Sequence, residues 1–263
     1  MHFPLQLHIG QAAIPLHGLL ETLAFFIGFR YFLYLRKKQG DVIVSSHRTW
    51  ILIGAIFGAL LGSRLVGGLE DPVQLRQSHS VLLHFYENKT ILGGFLGGLL
   101  GVELVKKRIG ETRASGDLFV YPILLSLIIG RLGCFSMGIY EATYGTVTTL
   151  PTGMDLGDGL KRHPVALYEI IFLLLLWIAL RRAESRWKLA PGARFKLFMM
   201  AYALFRFLLD YIKPVYIFNI GLSTIQLTAL AGLLYYYRYI TGPGRLLDHQ
   251  QPMAVAAAPL NNH

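Results

Sequence analysis

Seven apolar runs, separated by short polar stretches, leave this chain few ways to fold. They fall at roughly residues 16–34, 50–68, 90–105, 118–137, 165–180, 195–212 and 220–239, and several approach the ~20 residues that span a bilayer as a helix. Hydrocarbon offers the backbone no hydrogen-bonding partner, so such segments satisfy their own amides as helices. Only 15% of the residues are charged and the mean hydropathy is +0.48. The expectation is an all-α polytopic membrane protein. Its seven transmembrane helices form one domain over 1–245, and a flexible cytoplasmic tail follows over 246–263. No soluble domain and no internal repeat is visible.

The connecting stretches set the orientation. Sixteen Lys and Arg residues gather in the loops after runs one, three and five and behind run seven. Five lie on the other side: Arg76, Lys89, Lys161, Arg162 and Lys213. Cytoplasmic loops are the basic ones, which puts the N-terminus outside and the C-terminus in the cytoplasm. The same asymmetry explains the net charge of +10. In a soluble protein that charge would suggest nucleic acid. Here no nucleic-acid partner is expected, and contact with anionic lipid is. The one cysteine, Cys134, excludes a disulfide framework and a Cys-rich metal site. No cofactor and no metal is expected. No cleavable signal peptide is evident, because no Lys or Arg precedes Arg30.

Runs two and three carry glycines at four-residue spacing, Gly54, Gly58 and Gly62 in one and Gly93, Gly97 and Gly101 in the other. Small residues at this spacing let helices approach closely, so these ladders are assigned to helix packing.

Four of the 25 Lys and Arg residues lie inside the runs: Arg30, Arg64, Arg131 and Arg206. A charge at membrane depth is costly and usually marks a site or a pathway. The orientation places Arg64, Arg131 and Arg206 in the outer halves of their helices. Asp210, His17, Glu21, His163 and Glu169 fall at the same level. Guanidinium groups bind phosphate in bidentate fashion and keep their charge when partly buried. The phosphate available at that depth is a phospholipid headgroup, so the cluster is expected to hold one at the outer leaflet. Simpler readings stay open for individual residues. Arg206 and Asp210, four apart on one helix, can pair with each other, as can His17 and Glu21. Cys134 is a packing residue or, one turn from Arg131, an activated thiol. Asp155 and Asp158 belong to a solvated turn, since a calcium ligand set is incomplete there.

Several stretches, GRLGCFSMGIYEATYGT from Gly130, RHPVALYE from Arg162 and FRFLLDYIKP from Phe205, resemble the prolipoprotein diacylglyceryl transferase family. LHGLLE, GALLGSRL and ILGGFLGG occur in the matching order on runs one to three. The resemblance implies transfer of the diacylglyceryl group of phosphatidylglycerol, or a related anionic phospholipid, to the lipobox cysteine of a preprolipoprotein. Glycerol phosphate leaves, and the setting is the bacterial cytoplasmic (inner) membrane. It implies that Arg131 and Arg206 are catalytic, and that Arg64, Asp210, His163 and Glu169 complete the substrate site with them. The chain departs from the family pattern at four places. Leu92 stands for a histidine, Cys134 for an asparagine, His17 for a tyrosine and Ile139 for an acidic residue, with Glu141 two positions further on. Either His17 or Glu141 is then the candidate base. These changes also leave room for a non-catalytic phospholipid-binding or lipid-moving paralogue.

Overall fold

The structure, a computed structural model, describes residues 3–9 and 12–248, so nearly all of the expected C-terminal tail lies outside the described residues. The chain is mostly helical, and a helix of 12 to 24 residues lies in each of the seven apolar runs, the shortest in the last. Two short strands come first, β1 (Gln6–Ile9) and β2 (Ala12–Pro15), paired antiparallel with Leu7 opposite Ile14. The helices α1 (Leu16–Gln39) and α2 (Ser45–Gly68) follow. Two short helices, α3 (Pro72–Gln77) and α4 (Val81–Glu87), occupy what the sequence presents as a plain loop. Then come α5 (Ile91–Ile109) and α6 (Val120–Met137). A two-residue hairpin, β3 (Met154–Asp155) with β4 (Lys161–Arg162), precedes α7 (Val165–Arg186). The chain continues through α8 (Ala193–Leu209), α9 (Thr224–Tyr235) and the short α10 (Tyr237–Thr241).

Three of these segments are long and apolar enough to cross a membrane: Leu16–Gln39, Ser45–Gly68 and Asp117–Tyr140. Large apolar side chains also face outward around the bundle, among them Phe25, Ile56, Phe57, Leu104, Leu175 and Leu234. Such a surface suits lipid, because it would be a large exposed apolar patch in water.

Close helix pairing organises the bundle. The two glycine ladders face each other in antiparallel register: Gly54 meets Gly101, Gly58 meets Gly97 and Gly62 meets Gly93. A Cβ on Gly97 would lie 2.2 Å from the Gly58 carbonyl oxygen, so no other residue fits without moving a backbone. The packing assignment of the ladders therefore holds. A second close pair is α1 with α6, where Ser126 donates to the Ala24 carbonyl at 2.9 Å beside Gly28. The interior between the pairs is filled by Leu92, Val120, Leu124, Leu173, Phe198, Tyr202 and Ala229. Leu92, where the resembling family carries a histidine, is 1% exposed and wholly part of this apolar core.

The glycine-rich turn between β3 and β4 satisfies its own polar groups. Asp155 accepts the Gly157 and Gly159 amides, and Asp158 accepts Leu160 N–H and the Arg162 guanidinium. This is the turn expected from the sequence. The amides hold the Asp155 carboxyl below the usual carboxylate range.

Candidate functional site

Three helices meet at one carboxylate. Glu169 sits in the second turn of α7 and is 1% exposed. From α6, Arg131 brings its Nε to 2.8 Å from Glu169 Oε2. From α8, Arg206 Nη1 lies 3.4 Å from the same oxygen, and the Tyr202 hydroxyl donates to Oε1 at 2.7 Å. Both arginines are 7% exposed. Two guanidinium groups pressed together in an apolar bundle repel each other, and a shared carboxylate offsets that repulsion. Tyr202 lies one turn before Arg206, so one face of α8 presents both to Glu169.

The cluster continues along α8. Arg206 Nη2 is 3.9 Å from Asp210 Oδ1, so the anticipated i,i+4 pair forms alongside the pairing with Glu169. Asp210 is 1% exposed and takes the Ser223 hydroxyl at 2.5 Å. Ser223 is itself fixed by a capping box: its oxygen accepts the Gln226 amide while the Gln226 side chain accepts the Ser223 amide. Outside the helices, Glu70 and Lys213 flank this group. Burial pushes the Glu70 carboxyl above its ordinary range, against the pull of Lys213 and Arg206. Burial pushes the Lys213 ammonium down, and Arg206 adds to that.

A second arm runs from Arg131 towards the start of α1. Arg131 Nη1 approaches Cys134 Sγ at 3.5 Å, and Sγ lies 3.7 Å from Glu141 Oε1. Glu141 Oε2 is 3.2 Å from His17 Nδ1. His17 Nε2 is 3.6 Å from Glu21, which pairs with Lys89 at 2.6 Å. The N-terminal strands hold His17 in place: Leu5 N–H donates to the Ser136 carbonyl, and Leu16 N–H donates to Leu5. Gly133 completes the fit, since a Cβ there would crowd His17 and Leu20 at 3.3 to 3.4 Å.

Two residues expected in the cluster make their closest described contacts elsewhere, though Arg64 lies near enough to Glu21 for its charge to act on it. Arg64 donates to the Tyr86 carbonyl and lies over the Tyr86 ring, 5.0 Å from its centroid. The helix α4 intervenes here, and a sequence reading that treats 69–89 as loop cannot see it. His163 contacts the Tyr168 hydroxyl at 3.2 Å rather than an arginine. Conversely, the sequence reading passes over Tyr202, Ser223, Glu70, Lys213 and Lys89. The Tyr202–Arg206 spacing and the STIQ capping box from Ser223 were the signals for the first two.

An apolar cavity of about 1010 Å³ extends along α5 from Gly94 to Lys106, lined also by Leu99, Val102 and Ile123. At one end, Phe95 packs edge-on against Tyr202, with ring centroids 5.2 Å apart. That ring is the same one whose hydroxyl holds Glu169, so Phe95 separates the cavity from the Glu169 cluster by one aromatic ring, while Lys106, Arg113 and Lys196 line it elsewhere.

The sequence also matches known proteins. The sequence model described as prolipoprotein diacylglyceryl transferase matches residues 4–240. A phosphatidylglycerol–prolipoprotein diacylglyceryl transferase of Bordetella bronchiseptica is 32% identical over 80% of this chain and 82% of its own length. The protein of that name from Methylobacillus flagellatus is 29% identical over 86% of this chain and 91% of its own. One from Wolbachia pipientis is 31% identical, covering 86% and 87%.

Proposed function

The chain belongs to the prolipoprotein diacylglyceryl transferase family, and from that premise we propose how its residues move a diacylglyceryl group from phosphatidylglycerol to a lipobox cysteine. The observation that carries the reading is the meeting of Arg131 and Arg206 on Glu169. Glu169 and Tyr202 fix the two guanidinium groups, and each guanidinium keeps further N–H donors for a phosphate. In the reaction the acceptor sulfur forms a bond to the glyceryl carbon as that carbon's bond to the phosphate oxygen breaks. The electron pair leaves with glycerol phosphate. Negative charge grows on the departing oxygen, where preorganised donors stabilise it most. Arg131 and Arg206 are the donors. Asp210, held by Ser223, keeps Arg206 aimed, and Arg64 and His163 border the headgroup further out.

The acceptor thiol must lose a proton. Glu141 and His17 lie beside Cys134 and are the groups placed to receive it. The cavity along α5 takes acyl chain. The helices of the seven apolar runs all cross the bilayer with the N-terminus outside, which sets the arginine pair in the outer half of the bacterial cytoplasmic membrane. Family membership favours this enzyme reading over a lipid-binding protein without turnover.

The test is mass spectrometry of a lipobox peptide incubated with the purified protein and phosphatidylglycerol vesicles. A mass gain of one diacylglyceryl group on the cysteine is expected. An unmodified peptide, with bound phospholipid recovered from the protein, would sink the reading in favour of lipid binding.

A further inference from the structure

We infer that His17, Cys134 and Glu141 form a zinc site, and that its remaining position takes the acceptor thiol as a thiolate. The metal site stands on geometry; the thiol half rests on the transferase reading above. One ligating atom from each of the three residues lies within 4.8 Å of the other two. The closest approaches are 3.2 Å between His17 Nδ1 and Glu141 Oε2 and 3.7 Å between Cys134 Sγ and Glu141 Oε1. Zinc bonds of about 2.0–2.3 Å in a tetrahedron place ligand atoms roughly 3.3–3.7 Å apart. The two short distances use different Glu141 oxygens, so a small turn of the carboxylate and a contraction of the set from 4.8 Å brings one atom of each residue to that spacing.

A second observation points the same way. His17 Nδ1 and Glu141 Oε2 are shielded from solvent and meet as an ion pair at 3.2 Å, but without the geometry of a hydrogen bond. Neighbouring buried polar atoms that do not bond each other are costly unless something else fills the space between them. A shared cation does that. The surroundings are those of a metal-bound histidine: its other nitrogen, Nε2, faces the Glu21 carboxylate at 3.6 Å, and Lys89 fixes Glu21. Such outer carboxylates orient the ring and raise its basicity. On the far side Arg131 donates to Cys134 Sγ, a contact a thiolate accepts.

The chemistry suits the reaction. One Cys, one His and one carboxylate leave zinc a fourth position, as in catalytic rather than structural sites. With zinc bound, His17 and Glu141 are ligands and no longer the proton acceptors; a thiol bound there gives up its proton to solvent and stays nucleophilic at neutral pH. Its sulfur then attacks the glyceryl carbon, and glycerol phosphate departs with the electron pair; zinc keeps its oxidation state. Cys134 is thus a ligand and forms no acyl or glyceryl bond.

The test is zinc content by mass spectrometry, together with Co²⁺ titration of the metal-stripped protein in detergent. One zinc per chain and a sulfur-to-cobalt charge-transfer band are expected. Cys134→Ser should abolish the band. Glu21→Gln should lower zinc affinity about 10- to 100-fold. Glu141→Gln, on the partly exposed stretch that follows α6, should weaken zinc binding even if the cysteine variant fails to fold. A lipobox peptide should strengthen the cobalt–sulfur band, and its serine analogue should not. No stoichiometric zinc or cobalt in wild type, or a band unchanged in Cys134→Ser, would overturn the site. Full diacylglyceryl transfer by metal-stripped protein would overturn the thiol half, with the transferase reading intact. Zinc bound through Cys134 with no transfer to any lipobox peptide would overturn the transferase reading and leave the metal site standing.

Discussion

The two ends of the helix bundle both carry buried charge, and they use it differently. At the basic end, Arg48 is 2% exposed and fully engaged. Its Nε donates to Asp41 Oδ2 at 2.8 Å, its Nη1 to the Ser115 carbonyl at 2.9 Å and its Nη2 to Asp41 Oδ1. Nearby, Arg113 donates twice to Glu111, which His47 also contacts. At the other end the ion pairs are incomplete. Among the described residues, seven shielded side-chain N or O atoms lack a hydrogen bond. Five belong to His17, Arg131, Glu141, Arg206 and Asp210; four of those meet an opposite charge at 2.8 to 3.9 Å without hydrogen-bond geometry, and Arg206 Nε is left over. The other two, Glu184 Oε1 and Arg194 Nε, pair with each other at the basic end. A finished network ties loops together. An unfinished one keeps donors and acceptors for something that arrives later, at a cost in stability that folding alone does not repay.

Substitution should separate the two roles. Removing one partner of a buried ion pair costs about 3–5 kcal/mol, because the other charge is stranded. Arg48→Ala leaves Asp41 to Arg36 and the Ile43 amide, deprives the buried Ser115 carbonyl of its donor and empties a fully packed side-chain site, and should lower the thermal midpoint in detergent sharply. The fraction that stays folded should transfer diacylglyceryl groups at the wild-type rate. Arg131→Ala should do the reverse. Loss of one preorganised donor to a developing oxyanion costs about 10²–10³ in rate, or roughly 2.7–4 kcal/mol. Its thermal midpoint should fall less than that of Arg48→Ala, since Arg206 and Tyr202 still hold Glu169. A wild-type transfer rate in Arg131→Ala, measured on folded protein, would remove the distinction between the ends.

Much of this contrast was legible before any coordinates, and the reason is periodicity. Apolar runs mark where the helices lie, three of them long and apolar enough to cross a membrane. The orientation expected from the loop charges puts Arg131, Glu169, Arg206 and Asp210 at one level, and the structure joins these four side chains. Depth does not give azimuth, however. Arg64 shares the level but points to Tyr86, and His163 shares it but faces Tyr168. The grouping of His17 with Cys134 and Glu141 was out of reach for another reason. It depends on the β1–β2 strands docking beneath α6 through Leu5 and Ser136, a contact between residues some 130 positions apart. No local pattern encodes such a contact.

A smaller change probes the hub itself. Tyr202 is fully buried and its hydroxyl donates to Glu169 Oε1. Tyr202→Phe keeps the ring against Phe95 and Phe198 and removes only that bond. A hydrogen bond to a charged group contributes about 1.5–3 kcal/mol. Midpoint measurements should show a loss of that size, below that of Arg48→Ala. The transfer rate should also fall, though less than in Arg131→Ala, because both guanidinium groups remain. A rate at the wild-type level with the full stability loss would make Tyr202 purely structural, and would place the hub with the finished network.

The finest separation is in pH. Glu111 at the basic end has its carboxyl held far below the ordinary value of 4.5, first by the Arg113 guanidinium and then by His47. The folded protein thus favours the ionised form, and the stability this brings is present above about pH 4.5 and lost as the pH falls below it. Glu70 at the other end has its carboxyl raised above 4.5, chiefly by burial. There the folded protein holds the proton more tightly than the unfolded chain. Stability is therefore lost as the pH rises from 4.5 through the raised value. Thermal midpoints from acid to neutral pH should distinguish the two. Glu111→Gln should flatten the acid decline and lower the neutral plateau. Glu70→Gln should leave the acid side alone and raise the midpoint slightly at neutral pH, because an ill-paired carboxylate is removed. If both variants shift the curve in the same direction, the Glu70 carboxylate is as well satisfied as Glu111, and the site end holds fewer unmet charges than its geometry indicates.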